Sequence, residues 1–153
     1  MRREGASPAV KKAMNLLLYK DRTEKELQKR LEECDFAPEE ISEAMEYVRS
    51  FGYLNDRKYA ENYILSYRMK KSRSMIVHEL RERGIEEIHI EAAEELFPED
   101  ESNPAFELLK KKAGEPHRLE DKELRRCVGY LGRRGYRSGD IWKAVHRYNQ
   151  SGD

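Results

Sequence analysis

The side chains that could carry chemistry in this 153-residue chain are poorly spaced for it. The four histidines, His78, His89, His117 and His146, never stand four apart and never sit at ligand spacing from a cysteine, so no zinc site is expected. His89 and Glu91 form a lone H-x-E without the P-C-x-x-C that zinc deaminases require. Cys34 and Cys127 make no C-x-x-C pair and fall within helical patterns, which predicts two buried or half-buried thiols rather than a disulfide or a metal site. No G-x-x-x-x-G-K-[ST], G-x-G-x-x-G or G-x-S-x-G occurs, which excludes phosphate-cradling loops and nucleophile elbows. Carboxylates are plentiful, but Glu-rich stretches are ordinarily the solvated faces of helices. The expectation is a protein without catalytic residues, cofactor or metal.

The cations are the more informative group. Tyr67-Arg68-Met69-Lys70-Lys71-Ser72-Arg73 places an aromatic beside four positive charges, and Arg125, Arg126, Arg133, Arg134, Arg137, Lys143 and Arg147 follow toward the C-terminus. Such clusters attract nucleic-acid phosphates through counterion release, or an acidic protein surface through the same Coulomb force. The plain alternative is a solvated surface. Lys+Arg and Asp+Glu both number 30, but the zero net charge is unevenly spread. Residues 84–100 hold seven acidic and no basic residues, whereas residues 101–153 hold twelve basic against eight acidic.

These residues must be positioned by helices, and apolar spacing shows how. Steps of five, ten and thirteen from Leu31 land on Phe36, Ile41 and Ala44. The same steps from Leu80 land on Ile85, Ile90 and Ala93, and from Leu131 on Tyr136, Ile141 and Ala144. Seven beyond each isoleucine stand Val48, Phe97 and Tyr148, and four before each leucine stand Leu27, Ile76 and Cys127. Upstream of each block lies another shared pattern: Ala13-x-x-Leu16-Leu17, Ala60-x-x-Tyr63-Ile64 and Ala105-x-x-Leu108-Leu109. Three copies of one unit follow, each of three helices.

Punctuation agrees. Ser7-Pro8 reads as a helix start, Thr23 to Glu26 as a capping box, and Pro38 as the opening of a third helix stopped by Gly52. In the second unit, helices are expected from Asn55 or Asp56 to about Lys70, from Ser72 to Gly84, and onward to Leu96 before Pro98. In the third, Asn103-Pro104 begins the first helix, Asp121 the second, which ends before Gly135, and Ser138 caps the third. The expected units are 1–54, 55–100 and 101–153, an all-α chain of three tandem three-helix repeats.

Only 38% of the residues are hydrophobic and 39% are charged, a heavy surface load for one compact globule but normal for thin helical repeats. No apolar run approaches the roughly 20 residues of a membrane span, and no secretory-type stretch opens the sequence, so a cytoplasmic location is expected. Internal repetition already supplies multivalency, which favours a monomer. Three short helices also raise the helix-turn-helix possibility, but the third helices of units one and two are acidic, so only unit three, with Lys143, His146 and Arg147, can face phosphates.

Where units one and two join stands Phe51-Gly52-Tyr53-Leu54-Asn55-Asp56-Arg57-Lys58-Tyr59-Ala60, followed later by Ile76-x-x-Glu79-Leu80-x-x-Arg83-Gly84-Ile85. With Leu16 to Leu27 near the start and Tyr130-Leu131-Gly132-Arg133-Arg134-Gly135-Tyr136 near the end, the chain resembles the RecX family, regulators of the RecA recombinase. The resemblance spans nearly the whole chain. It implies an elongated, curved array that lies in the groove of the RecA filament on single-stranded DNA and limits its growth, ATP hydrolysis, strand exchange and co-protease activity. By the same resemblance, Tyr67, Arg68, Lys70, Lys71, Arg73, Arg125, Arg126, Arg133, Arg134, Arg137, Lys143 and Arg147 become candidate partner-binding residues. Direct DNA binding through basic surfaces of units two and three is the alternative. Within the signature, Gly52 is expected to end a helix, Asp56 to start one, and Tyr53 and Leu54 to anchor the core.

Overall fold

The computed structural model describes residues 6–152. Nine α-helices lie among them, and no strand: α1 (Pro8–Tyr19), α2 (Glu24–Glu33), α3 (Pro38–Ser50), α4 (Asp56–Tyr67), α5 (Arg73–Glu82), α6 (Glu87–Ala92), α7 (Ser102–Ala113), α8 (Asp121–Arg133) and α9 (Ser138–Ser151). α1, α2 and α3 pack on one another, as do α7, α8 and α9.

Local chemistry explains the helix starts. Ser7 Oγ accepts from the Val10 amide, with Pro8 pre-set for the first turn. Thr23 and Glu26 close a full capping box, each side chain accepting from the other's amide at 3.1 and 3.0 Å. Ser72 Oγ accepts from the Met75 amide, and Asn55 Oδ1 from the Lys58 amide. Ser138 is not the cap expected for α9: the helix starts at Ser138 itself, with Arg137 at the N-cap position and no side-chain cap.

The apolar repeat is the core. Every aligned position is buried except Leu17, Phe36 and Leu108, which are partly buried. One cluster gathers Ala9, Val10, Ala13, Leu16, Leu27, Leu31, Ile41, Ala44, Met45, Val48 and Leu54, and another gathers the corresponding residues of α7, α8 and α9. Burying a Leu or Ile side chain contributes on the order of 1.5–3 kcal/mol, so these positions dominate stability.

By compactness the chain divides into two units. The first runs through Asn62 and takes in Leu80–Ala93; the second comprises Tyr63–Glu79 and the chain from Glu94 onward.

Three further expectations are corrected. The third helix of the middle repeat does not reach Leu96: α6 ends at Ala92 and a single 3-10 turn, Glu94–Leu96, follows. Glu91, Glu94 and Glu95 crowd negative charge at a helix C-terminus, where the macrodipole opposes it, and the residue before Pro98 resists helical geometry. Tyr53 is 48% exposed rather than core, because Gly52 turns the chain at φ 75° and delivers only Leu54 inward. Cys34 is exposed, because α2 ends at Glu33 and leaves the thiol at the C-cap; Cys127 is buried as expected.

A recurring polar joint and a candidate partner-binding surface

Few polar side chains are buried, and four of them form two copies of one joint. Thr23, at the N-cap of α2, donates its hydroxyl to the Arg83 carbonyl at 2.6 Å, just before Gly84 ends α5. The Glu24 amide beside it donates to Asp56 at the start of α4, at 2.9 Å. In the second unit, Ser72 at the N-cap of α5 donates to the Arg134 carbonyl at 2.6 Å, just before Gly135. There the Arg73 amide donates to Glu101 at the start of α7, at 2.6 Å. The hydroxyl thus accepts from its own helix and donates its one proton to the next repeat.

Each joint requires a glycine. Gly84 and Gly135 have φ of 89° and 91°, a left-handed conformation, and a Cβ there would fall 2.5 Å from Lys25 Cβ and 2.6 Å from Ser72 Oγ respectively. Asp35 occupies the same repeat position in the first domain with φ 60°, but it is exposed and abuts no such cap among the described residues. Burial raises the carboxyl pKa of Asp56 and of Glu101 above the ordinary range, against the lowering effect of the amide each accepts from.

All twelve sequence-predicted surface residues lie in the second unit, but they are not equally free. Arg68 donates to the Leu96 carbonyl at 2.9 Å. Arg73 pairs with Glu94 and lies 5.0 Å from the Phe97 ring centroid. Arg137 donates to the Glu99 carbonyl at 2.7 Å and pairs with Asp140, Lys143 pairs with Asp100 at 2.8 Å, and Arg147 donates to Asn103 at 2.8 Å. Five of the twelve therefore hold down the acidic connector from Glu94 to Asn103. Lys143 and the Ser102 amide in turn hold the Asp100 carboxyl well below the usual carboxylate range. Lys71 sits 4.4 Å over Tyr67 and pairs with Glu79 at 2.8 Å, while Arg134 lies 4.9 Å from the Tyr130 ring centroid.

The side chains of Lys70, Arg125, Arg126 and Arg133 make no hydrogen bond, ion pair or ring contact among the described residues. Three of them lie on α8. With about 3.6 residues per turn, positions 122, 125, 126, 129, 132 and 133 share the face opposite buried Cys127 and Leu131. They are Lys122, Arg125, Arg126, Gly129, Gly132 and Arg133, a strip with four cations and no carboxylate. Sequence reasoning passed over Lys122 and the two glycines, although tracing the helical periodicity of α8 brings all six together. Glycine inside an exposed helix is less favourable than alanine by about 0.8–1 kcal/mol, so this face carries an unusual double cost.

No group of three or more His, Cys, Asp or Glu able to hold a metal exists among the described residues, and no described helix is long and apolar enough to cross a membrane.

Comparison with known proteins identifies the architecture. The RecX first three-helix domain matches residues 9–47, the second 55–93 and the third 99–145. The chain belongs to the RecX family. The regulatory protein RecX of Trichlorobacter lovleyi is 36% identical over 132 residues, covering 82% of this chain and 86% of that one. The regulatory protein RecX of Corynebacterium efficiens is 34% identical, covering 84% of this chain and 66% of its relative. The crystal structure of RecX from Lactobacillus salivarius superposes with a TM-score of 0.75 at 22% identity, covering 96% and 98% of the two chains, and so shares the fold. The RecX second and third domains meet the joint residues directly: Asp56 lies just inside the one match and Glu101 just inside the other.

Proposed function

We propose that this chain is a non-enzymatic, cytoplasmic regulator of the RecA recombinase. It acts as a monomer of three repeats, 1–54, 55–100 and 101–153, bound to the RecA filament on single-stranded DNA, and it limits filament growth, ATP hydrolysis, strand exchange and co-protease activity. Membership of a family of regulatory proteins carries this reading. The repeat supports it physically: tandem units present successive weak contacts to a polymer, and linkage multiplies them through effective concentration.

The contact surface draws on Tyr67, Arg68, Lys70, Lys71, Arg73, Arg125, Arg126, Arg133, Arg134, Arg137, Lys143 and Arg147. Among those already paired, Arg73 with Glu94 and Lys143 with Asp100 do so at the exposed surface, where ion pairs contribute about 0–1 kcal/mol and exchange readily for a partner. The test is the steady-state rate of RecA ATP hydrolysis on single-stranded DNA as this protein is titrated in. A dose-dependent fall, at concentrations where the protein alone does not shift bare DNA, is expected. Tight binding to bare DNA at moderate salt with an unchanged hydrolysis rate overturns the reading in favour of direct DNA binding.

A further inference from the structure

The exposed face of α8 is built for close approach. Its four cations, Lys122, Arg125, Arg126 and Arg133, have no partner among the described residues, in a unit where most neighbouring cations are engaged. Between them the helix carries no side chain at Gly129, beside which the Arg133 guanidinium tip lies, or at Gly132, which is open. Packing inside this protein requires neither glycine. A Cβ on Gly132 would meet nothing within 4 Å, and one on Gly129 only the tip of the Arg133 side chain at 3.2 Å. Neither has the positive φ that makes glycine necessary at Gly84 and Gly135. Helix propensity argues for alanine at both places, so the absence of side chains needs a cause outside the described fold.

We infer that this strip seats an acidic helical segment of a protein partner, its backbone crossing over Gly129 and Gly132 while its carboxylates meet Arg125 and Arg126 at one end and Arg133 at the other. The two clusters stand about 10 Å apart along the axis, two turns of an opposing helix. The glycine floor decides against a phosphodiester strand. Backbone amides in the middle of α8 are already used within the helix, so the floor has no donor to offer a phosphate. What it offers is close van der Waals approach of a second backbone, flanked by guanidinium forks that match carboxylates in pairs. Resting on the proposed function, the inference assigns the acidic segment to the recombinase filament.

Two variants separate the outcomes, with filament binding read by co-sedimentation alongside ATP hydrolysis. Gly129→Ala/Gly132→Ala keeps every charge and improves the helix: Tm should rise by about 3–8 °C, while filament binding weakens by at least about tenfold and bare single-stranded DNA binding does not change. Arg125→Ala/Arg126→Ala/Arg133→Ala should weaken filament binding at least as much, with no gain in Tm. Wild-type filament binding by the glycine double variant overturns the inference. So does a parallel loss of bare-DNA binding in both variants, which assigns the strip to nucleic acid. A wild type that sediments with the filament yet leaves hydrolysis unchanged overturns the inhibitory reading alone, since the strip is still judged by binding. A wild type that does not sediment with the filament overturns both.

Discussion

The two polar joints solve one problem with different side chains. In the first, the Thr23 hydroxyl, the Asp56 carboxylate and Gly84 meet; in the second, Ser72, Glu101 and Gly135 do. The arginine that supplies the accepting carbonyl behaves differently in each. Arg83 reaches Glu26 at 3.3 Å and the Tyr59 hydroxyl at 2.9 Å, because the capping-box glutamate is within range. Arg134 has Met75 in the position matching Glu26 and lies over Tyr130 instead. What the joints share is therefore the buried hydroxyl, the buried carboxylate and the missing Cβ, and the arginine is free to vary.

Glycine replacement should separate the joint from ordinary helix ends most strongly. Gly84→Ala combines a left-handed residue with a backbone-proximal clash and should cost about 3 kcal/mol in urea unfolding, with Gly135→Ala close behind. Gly52→Ala has the same sign of φ but open space around it and should cost about 1 kcal/mol. Equal losses at Gly84 and Gly52 would remove the close approach from the account. Next come the hydroxyls. Thr23→Ala and Ser72→Ala each lose a cap and orphan a carbonyl, for about 2–3 kcal/mol, with Thr23 the costlier because its capping box falls too.

Tyr136 sharpens the second joint in the opposite direction. Its hydroxyl is buried without a partner among the described residues, so Tyr136→Phe should stabilise by about 1 kcal/mol. The smallest effect belongs to the carboxylates. A carboxyl whose pKa is raised on folding loses stability as pH climbs from its unfolded value, near 4, through its folded one. Asp56→Asn keeps an acceptor for the Glu24 amide without the charge. Urea midpoints measured from pH 3.5 to 7 should show a smaller decline in the variant over that window than in the wild type. An identical pH profile would mean that Asp56 is ionised at no cost.

Much of this was legible in the sequence. Leu31, Leu80 and Leu131 and their spaced partners marked the core, since apolar periodicity reports burial directly. Thr23 was legible as a cap, because capping is local to a few residues. Its second bond was not: the acceptor lies 60 residues away, and nothing in the local pattern names it. The candidate surface was legible only as composition. Lys143 and Arg147 stand in cationic runs as Arg125 and Arg126 do, yet the acidic connector holds the first two and leaves the others open, a distinction that needs coordinates. Tyr53 misled because an aromatic in a signature motif reads as core, whereas the turn at Gly52 decides which neighbour faces in.

The exposed thiol of Cys34 gives the molecule a built-in chemical handle. Cys127, the other cysteine, is buried, and burial pushes its thiol pKa up, so it reacts slowly. A maleimide dye should therefore attach at one place, in the first unit, leaving every cation of the α8 strip unmodified. The unaltered wild-type surface can then be followed by fluorescence as it docks, without an engineered cysteine.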